Sequence, residues 1–462
     1  MSLVLADVRI EARANLRLAL PLIAAQLSFV SAGTVDAIFA GRLGANELAA
    51  VAVGANAWFM VLVMFMGVAM AISPIVAHRV GAKHSPETIG HFLRGALLMA
   101  VALGLIWTLL MRWATEPLLN LLSLDDRTFP MARDYLHALS WASLPFSLCF
   151  FLRNGAEGFG QIRVALTAGI TGLIVNAGFD WLLMYGHWGL PALGPEGCGW
   201  ATTIAAWAMV GVFLLSYQHS PVLRSLNMPR GGWPRLQRQH LEILRLGMPI
   251  AAMLTAEAWL FCIGSLLMAR FGAEAIAAHQ IAINFAALCF MVPTAIGMAT
   301  TVRVGQASGA GDLGAAELRG RTGILLGVCF ALCSAAFMAF APGLIVAVYT
   351  DVERLAAPAT AFLAFAAVFQ IFDCVQATSN GALRGIKDSL VPMIITLLAY
   401  WCGGLPVAIG LAFWLDIGPT GIWWGFIVGL GLAAIGLSTR FLLRGRGLAQ
   451  QALLAQDSGP EI

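Results

Sequence analysis

Residues 20–57 read "LPLIAAQLSFVSAGTVDAIFAGRLGANELAAVAVGANA", and residues 248–286 read "MPIAAMLTAEAWLFCIGSLLMARFGAEAIAAHQIAINFA". Set side by side at a shift of 228, Pro21 meets Pro249, Gly44-Ala45 meets Gly272-Ala273 and Asn56 meets Asn284. The correspondence continues downstream. Leu93-Arg94-Gly95 echoes Leu318-Arg319-Gly320, Asn154-Gly155-Ala156 echoes Asn380-Gly381-Ala382, and "GPEGCGW" at 194–200 echoes "GPTGIWW" at 418–424, where the shift has drifted to 224. The chain is a duplication, so whatever one copy folds into, the other repeats.

Composition names the solvent. The 462 residues are 60% hydrophobic and 11% charged, with a mean hydropathy of +0.82. A soluble domain carries about 25% charged residues, so a bilayer is expected around this chain, crossed by helices of roughly 20 apolar residues each. Twelve such runs stand out, near 16–40, 48–78, 93–113, 131–153, 163–185, 196–217, 241–269, 275–302, 320–341, 355–381, 389–412 and 419–441. The expected fold is an all-α polytopic membrane protein with two six-helix lobes, residues 1–230 and 231–462. Six spans per copy is an even number, so the copies point the same way and are related by a pseudo-two-fold axis along the membrane normal. That is one of the known transporter plans, although a channel or a membrane enzyme can be duplicated too.

Charge sets the expected orientation. Arg42, Arg112, Arg127, Arg133, Arg270 and Arg354 fall on one side of the spans and the other 21 of the 27 Lys and Arg on the opposite side. The larger set includes both ends of the chain and the connector around Arg224, Arg230, Arg235 and Arg238, so both termini are expected in the cytoplasm. The net charge of +3 is spread out, without the clustered basic face that nucleic-acid binding requires. The apolar run behind Arg9, Glu11, Arg13 and Arg17 is long and carries Gln26 and Asp36, so it reads as a retained first span and not as a cleaved signal. The eight cysteines show no C-x-x-C and no Cys/His ligand spacing; they read as small buried hydrophobes.

The decisive residues are the polar ones inside the spans. A carboxylate at mid-bilayer costs about 2.5–3.5 kcal/mol on insertion scales, which makes each one a functional candidate. Four stand out: Asp36 in the first span, Asp180 in the fifth, Glu257 in the seventh and Asp373 in the tenth. At 100° per residue Gln370, Asp373, Gln376 and Asn380 fall within about 120°, one stripe that must face protein or water. Asn176 and Asp180 are four apart and share a face, and Gln26 and Asp36 align with Gly33. Glu257 has apolar Met253 and Gly264 on its own face, so its partners must come from another helix. For Asn176, Asn284, Gln26 and Gln370 an interhelical hydrogen bond is an equally good reading. No intramembrane Lys or Arg is expected beside the four acids, Arg303 and Arg384 sitting at helix ends. An acid so placed is stable when protonated or when bound to a cation. His279 reads as a satisfied histidine, and Asp125, Asp126, Asp351 and Glu353 as helix caps.

Several motifs together resemble a known family. They are "PLIA" at 21–24 with "VDAIFAGRLG" at 35–44, "AAHQIAINF" at 277–285, "FDCVQ" at 372–376 followed by "LRGIKD" at 383–388, and "NGAEGFGQ" at 154–161. They look like the multidrug and toxic compound extrusion (MATE) family, nearest its NorM-type branch, over essentially the whole chain. The resemblance implies an inner-membrane transporter that exports organic cations in exchange for inward Na⁺ or H⁺, with substrate, coupling ion and lipid as its partners; a monomer without a cofactor is expected. Glu257 and Asp373 match the acids of the C-lobe cation site of NorM-type relatives, where they would hold Na⁺ if sodium couples, and Asp36 matches the acid of the first helix. One departure stands out: "NAGFDW" supplies Asp180 where close NorM relatives often carry asparagine. With Asp36, Asn154 and Asn176 it forms a set similar to the N-lobe site of archaeal and DinF-like members. This chain thus carries acids for both sites, with Asn154, Asn176, Gln26, Gln370, Gln376, Asn380 and Asn284 as the expected polar lining.

Two other readings remain at this level. A lipid-linked sugar flippase shares the architecture but needs a basic cavity for pyrophosphate, and nearly all basic residues here lie at helix ends. A polytopic membrane enzyme needs a nucleophile and base or a metal motif, and the chain has no H-E-x-x-H, G-x-S-x-G or Walker A sequence. The 18 Met and 26 Phe instead offer the adaptable surfaces that promiscuous binding uses.

Overall fold

The computed structural model describes residues 2–122, 124–228, 236–350 and 352–457. The expected lobe boundary at 230/231, Arg230, Arg235 and Asp351 lie outside them, as does the side chain of Arg446. Among the described residues every long element is a helix and there is no strand. Eleven spans are long and apolar enough to cross a membrane, and a twelfth is a bent pair. We number them α1 (Asp7–Leu43), α2 (Ala45–Gly81), α3 (Pro86–Leu121), α4 (Thr128–Ser140 with Ser143–Gly158), α5 (Arg163–Tyr185), α6 (Pro195–His219), α7 (Arg238–Phe271), α8 (Ala273–Gly309), α9 (Leu313–Phe340), α10 (Glu353–Gly385), α11 (Leu390–Trp414) and α12 (Thr420–Gly445).

The interruptions have local causes. The two parts of α4 meet at 45°, and Pro145 stands in the first turn of the second part, where its missing N–H is harmless. Inside α2 the helix breaks at Ala71, three residues before Pro74, which has no N–H for the carbonyl of Met70. In α11 wider π turns run over Leu398–Gly404 and Gly410–Trp414 on either side of Pro406. The last helix of each copy opens in the same way. Gly194 (φ +57°) and Gly418 (φ +78°) adopt the left-handed region that glycine enters without a steric penalty, and a proline follows each. At the loops, the Ser85 hydroxyl accepts from Thr88 N–H at 3.3 Å, and Asp312 Oδ1 from Ala315 N–H at 2.9 Å. The Asp125 carboxylate accepts from the hydroxyl and the N–H of Thr128, bonds that hold it below the usual carboxylate range. Ser85 and Asp312 are N-terminal caps, whereas Asp125 lies two residues before the N-cap position, Arg127.

The chain forms two compact units that interleave along the sequence: residues 1–20, 77–82 and 252–462 in one, 21–76 and 83–251 in the other. The changeovers in α1 and α7 fall at Leu20/Pro21 and Ala251/Ala252, beside the equivalent prolines Pro21 and Pro249. Each proline leaves a carbonyl, that of Arg17 or Arg245, without its helical donor.

Within the larger unit the leading segment of α1 is pinned by Glu11, which accepts from Arg303 Nε at 2.9 Å and lies 3.4 Å from Arg319 Nε. Asn15 Nδ2 donates to Thr300 Oγ1 at 2.9 Å. The core of this unit gathers Trp423, Phe362, Phe369 and Phe426. Gly381 of α10 lies against the backbone of Gly297 in α8, so close that an added Cβ would be 2.6 Å from its Cα, and Thr301 Oγ1 donates to the Gly381 carbonyl at 2.8 Å. In the other unit the start of α7 is held by His240, whose Nε2 donates to the Phe92 carbonyl at 3.1 Å while its ring stacks on Phe92 at 5.3 Å. Trp107 stacks between Trp58 and Phe65 at 5.1 Å on each side.

Candidate functional site

Each unit gathers its own pair of acids, one buried and one half-buried: Asp180 with Asp36, and Asp373 with Glu257. In the unit holding residues 83–251, Asp36 comes from α1, Asn176 and Asp180 from α5 and Cys198 from the first turn of α6. The approach of α5 and α6 depends on Gly197, where an added Cβ would sit 2.8 Å from the Leu183 backbone. That contact delivers Cys198 to Asp180. One ligand atom each of Asp36, Asp180 and Cys198 lie within 4.8 Å of one another. Asn176, Asp180 and Cys198 are all within hydrogen-bonding reach of Asp36. Yet neither oxygen of Asp180, nor Asp36 Oδ1, nor Asn176 Oδ1 receives a well-formed hydrogen bond. Asp180 is 0% exposed. Two negative charges in such a place repel, and a proton or a cation between them removes the repulsion.

The second pair lies in the unit holding residues 252–462, on α7 and α10. Glu257 Oε2 accepts from Gln376 Nε2 at 3.1 Å, so its partner does come from another helix. Gln376 Oε1 in turn accepts from the Tyr400 hydroxyl at 2.6 Å. Tyr400 sits in the first π turn of α11, one residue from Ala399 and two before Cys402. Asp373, three residues before Gln376, feels the charge of Glu257, and its Oδ1 has no donor. Arg384, two turns beyond Gln376 on α10, acts on Glu257 through its field, but its buried Nε has no hydrogen-bond partner. Arg384 stands in the last turn of α10, at the helix end where the sequence puts it; what the sequence reading did not foresee is that its field reaches Glu257 from there.

The other expected residues divide. Gln370, Asp373, Gln376 and Asn380 are all buried, as their shared stripe requires. Gln370 Nε2 reaches only Cys374 Sγ of its own helix, at 3.5 Å, and Asn380 Oδ1 has no partner. Gln26 leaves the Asp36 group and accepts from Arg153 at 2.9 Å. Asn154 donates to the Phe150 carbonyl at 2.8 Å, and Asn284, exposed on α8, to the Gln280 carbonyl at 2.7 Å; no contact joins either to the acid pairs. His279 is buried, with Nε2 3.0 Å from Ser265 Oγ and Nδ1 unsatisfied.

Sequence reasoning missed three things. Glu157 is a further buried acid, 2% exposed, and Arg153 Nε donates to it at 2.7 Å; the i, i+4 spacing was the available signal. Tyr400 is one of only five tyrosines, and a phenol in an apolar span needs a partner. The cysteines are all free, but Cys329, Cys333 and Cys402 are exposed, contrary to the buried reading, and Cys198 has ligand atoms of two acids within 4.8 Å.

Comparison with known proteins agrees with this architecture. The MatE family model matches residues 21–182 and 249–409, once in each copy. The multidrug resistance protein PmpM of Pseudomonas aeruginosa is 36% identical over 450 residues, covering 96% of this chain and 94% of that protein. The multidrug resistance protein NorM of Vibrio vulnificus is 35% identical over 435 residues, covering 93% and 95%. Among solved structures, the eukaryotic MATE transporter AtDTX14 superposes with a TM-score of 0.84 at 20% identity, covering 96% of this chain and 99% of that one. A MATE protein in its bent conformation gives 0.85 at 18% identity. Those two likenesses concern the fold. With the family model matched across both copies and relatives this similar along their whole length, the chain belongs to the MatE family of multidrug transporters and is not an enzyme.

Proposed function

We propose that this protein exports organic cations from the cytoplasm by exchanging them for inward-moving Na⁺ or H⁺ across the bacterial inner membrane, as a monomer whose two sequence copies, 1–230 and 231–462, act as its lobes. The observation that carries the reading is a pair of carboxyl groups in each unit, one buried and one half-buried, with no ion pair to a basic side chain among the described residues. Each pair can hold a cation or a proton and give it up again. Membership of a family whose relatives are named multidrug resistance proteins supports the drug side of the exchange. The energetics suffice: an ion moving down 100 mV supplies about 2.3 kcal/mol, and each tenfold of substrate gradient costs about 1.4 kcal/mol. Exchange of one monovalent drug for one monovalent ion moves no net charge, and then the ion gradient alone drives export.

We assign coupling to Glu257 and Asp373, with Na⁺ between them if sodium couples, and substrate adjustment to the Asp36–Asp180 group. In favour is the relay Tyr400–Gln376–Glu257, which orients one carboxylate before any ion arrives. The test is efflux of a fluorescent cation from proteoliposomes, against pH and against Na⁺, for two variants. Glu257→Gln should remove the ion dependence. Asp180→Asn should mainly change substrate choice or apparent affinity. If Asp180→Asn flattens the pH profile while Glu257→Gln keeps the full ion response, the assignment is reversed. Both termini are proposed to be cytoplasmic on the strength of the basic-residue bias. A C-terminal alkaline phosphatase fusion should accordingly be inactive, and an active fusion would contradict that orientation.

A further inference from the structure

The thiol of Cys198 has no part in holding Na⁺ or a proton, yet it stands in the Asp36–Asp180 group. We infer that Asp36, Asp180 and Cys198 form a binding site for a thiophilic divalent cation of the Zn²⁺ or Cd²⁺ class, with Asn176 Oδ1 as a fourth donor.

Three features carry the inference. The first is spacing. One ligand atom from each of the three residues lies within 4.8 Å of the others, and this is the one group of three such residues among those described. Around a tetrahedral zinc with ordinary Zn–S and Zn–O lengths, ligand atoms stand about 3.4–3.6 Å apart, so side-chain rotations of about an ångström close the site. The second is unmet bonding capacity. Both Asp180 oxygens, Asp36 Oδ1 and Asn176 Oδ1 lack hydrogen-bond partners, and Asp180 and Asn176 are 0% and 2% exposed. Buried polar atoms are rarely left so; four in one place amount to a coordination sphere in waiting. The third is donor type. A thiolate with two carboxylates favours zinc and cadmium over Ca²⁺ or Mg²⁺, which take oxygen ligands. The three ligands can supply up to three negative charges against the two of the metal. Asp36 keeps partial exposure, so the group is not sealed. The other buried cysteines lack this company: Cys149 donates to the Ala206 carbonyl at 3.5 Å, and Cys374 sits beside Gln370.

The inference extends the proposed function in one respect: a metal seated here would inhibit transport by occupying Asp36 and Asp180. Binding is measured without any ion gradient, so failure of the transport reading leaves the binding result standing. The experiment titrates the full-length, chelator-stripped protein in detergent with Cd²⁺, read by calorimetry and by the ultraviolet thiolate-to-cadmium charge-transfer band. A second protein keeps Cys198 and replaces the other seven cysteines by serine. The expected result is one equivalent of Cd²⁺ with the band present in both proteins, undiminished by excess Ca²⁺. Cys198→Ser should abolish the band, and both it and Asp180→Asn should weaken binding by at least the 10–100-fold seen for lost support at metal sites. Because the substitutions could disturb folding, the titration and the band are also read in the Cys198-retaining protein, in which Asp36, Asp180 and Cys198 are all unchanged. Absence of the band in that folded protein, or wild-type Cd²⁺ binding by a folded Cys198→Ser variant, would overturn the proposal.

Discussion

At the scale of single residues, Asp36, Asp180, Glu257 and Asp373 dominate because each is costly to bury and, among the described residues, none forms an ion pair with a base. Asp373→Asn keeps the shape of the side chain and removes its charge. The variant should express and fold as wild type and lose gradient-driven ethidium efflux to background; efflux at the wild-type rate at equal expression would remove Asp373 from the coupling machinery. The four acids were legible in the sequence because a carboxylate in an apolar run violates local composition. Their partners were not. Gln376 could be placed on the stripe of Asp373 by periodicity, but its bond to Glu257 spans two helices, and no pattern along one helix reports what stands opposite. Cys198 was hidden for another reason: a cysteine is unremarkable among apolar residues, and only the fold of α6 onto α5 gives it two carboxylates as neighbours. Arg384 was legible as a charge in the last turn of α10, but its influence on Glu257 of another helix was not.

At the scale of elements, helix pairs meet through small residues, as expected where lipid supplies no hydrophobic drive between helices. The crossing of α8 and α10 shows it most clearly, since Gly381 and Gly297 meet backbone to backbone. Gly381→Leu has to push α10 away from α8, and with it Asp373 and Gln376. Overpacking of this kind costs about 1–3 kcal/mol, so the detergent-solubilised variant should unfold at a lower temperature than wild type. Gly211→Ala, at a position with open space around it, is the matched control and should leave the midpoint unchanged or slightly raised. An unshifted midpoint in Gly381→Leu would mean that the two helices are not held at this separation. The twelve spans were readable because hydropathy averages over some twenty residues. The same averaging concealed the break at Ala71, the bend between Ser140 and Ser143 and the π turns of α11, local features that each stand near a proline.

At the scale of the whole molecule, the duplication was plain from paired motifs, whereas the interleaving of the compact units was not, since a repeat reports kinship between segments and not which of them pack together. Residues 1–20 are counted with 252–462, and residues 231–251 with 21–76, so each copy lends its leading arm to the unit built mainly from the other. Cutting the chain between Arg230 and Arg235 therefore leaves neither fragment with a complete unit. Fragments 1–230 and 236–462 should be degraded when expressed singly and should accumulate together, with efflux restored, when co-expressed; stable accumulation of either alone would show that the lent arms are dispensable. The exchange also bears on ancestry. A single-copy, six-span chain with the same packing habit would have to trade arms with a second molecule before it could fold, as an obligate homodimer. Two such copies joined end to end turn that concentration-dependent encounter into one that every newly made chain completes by itself.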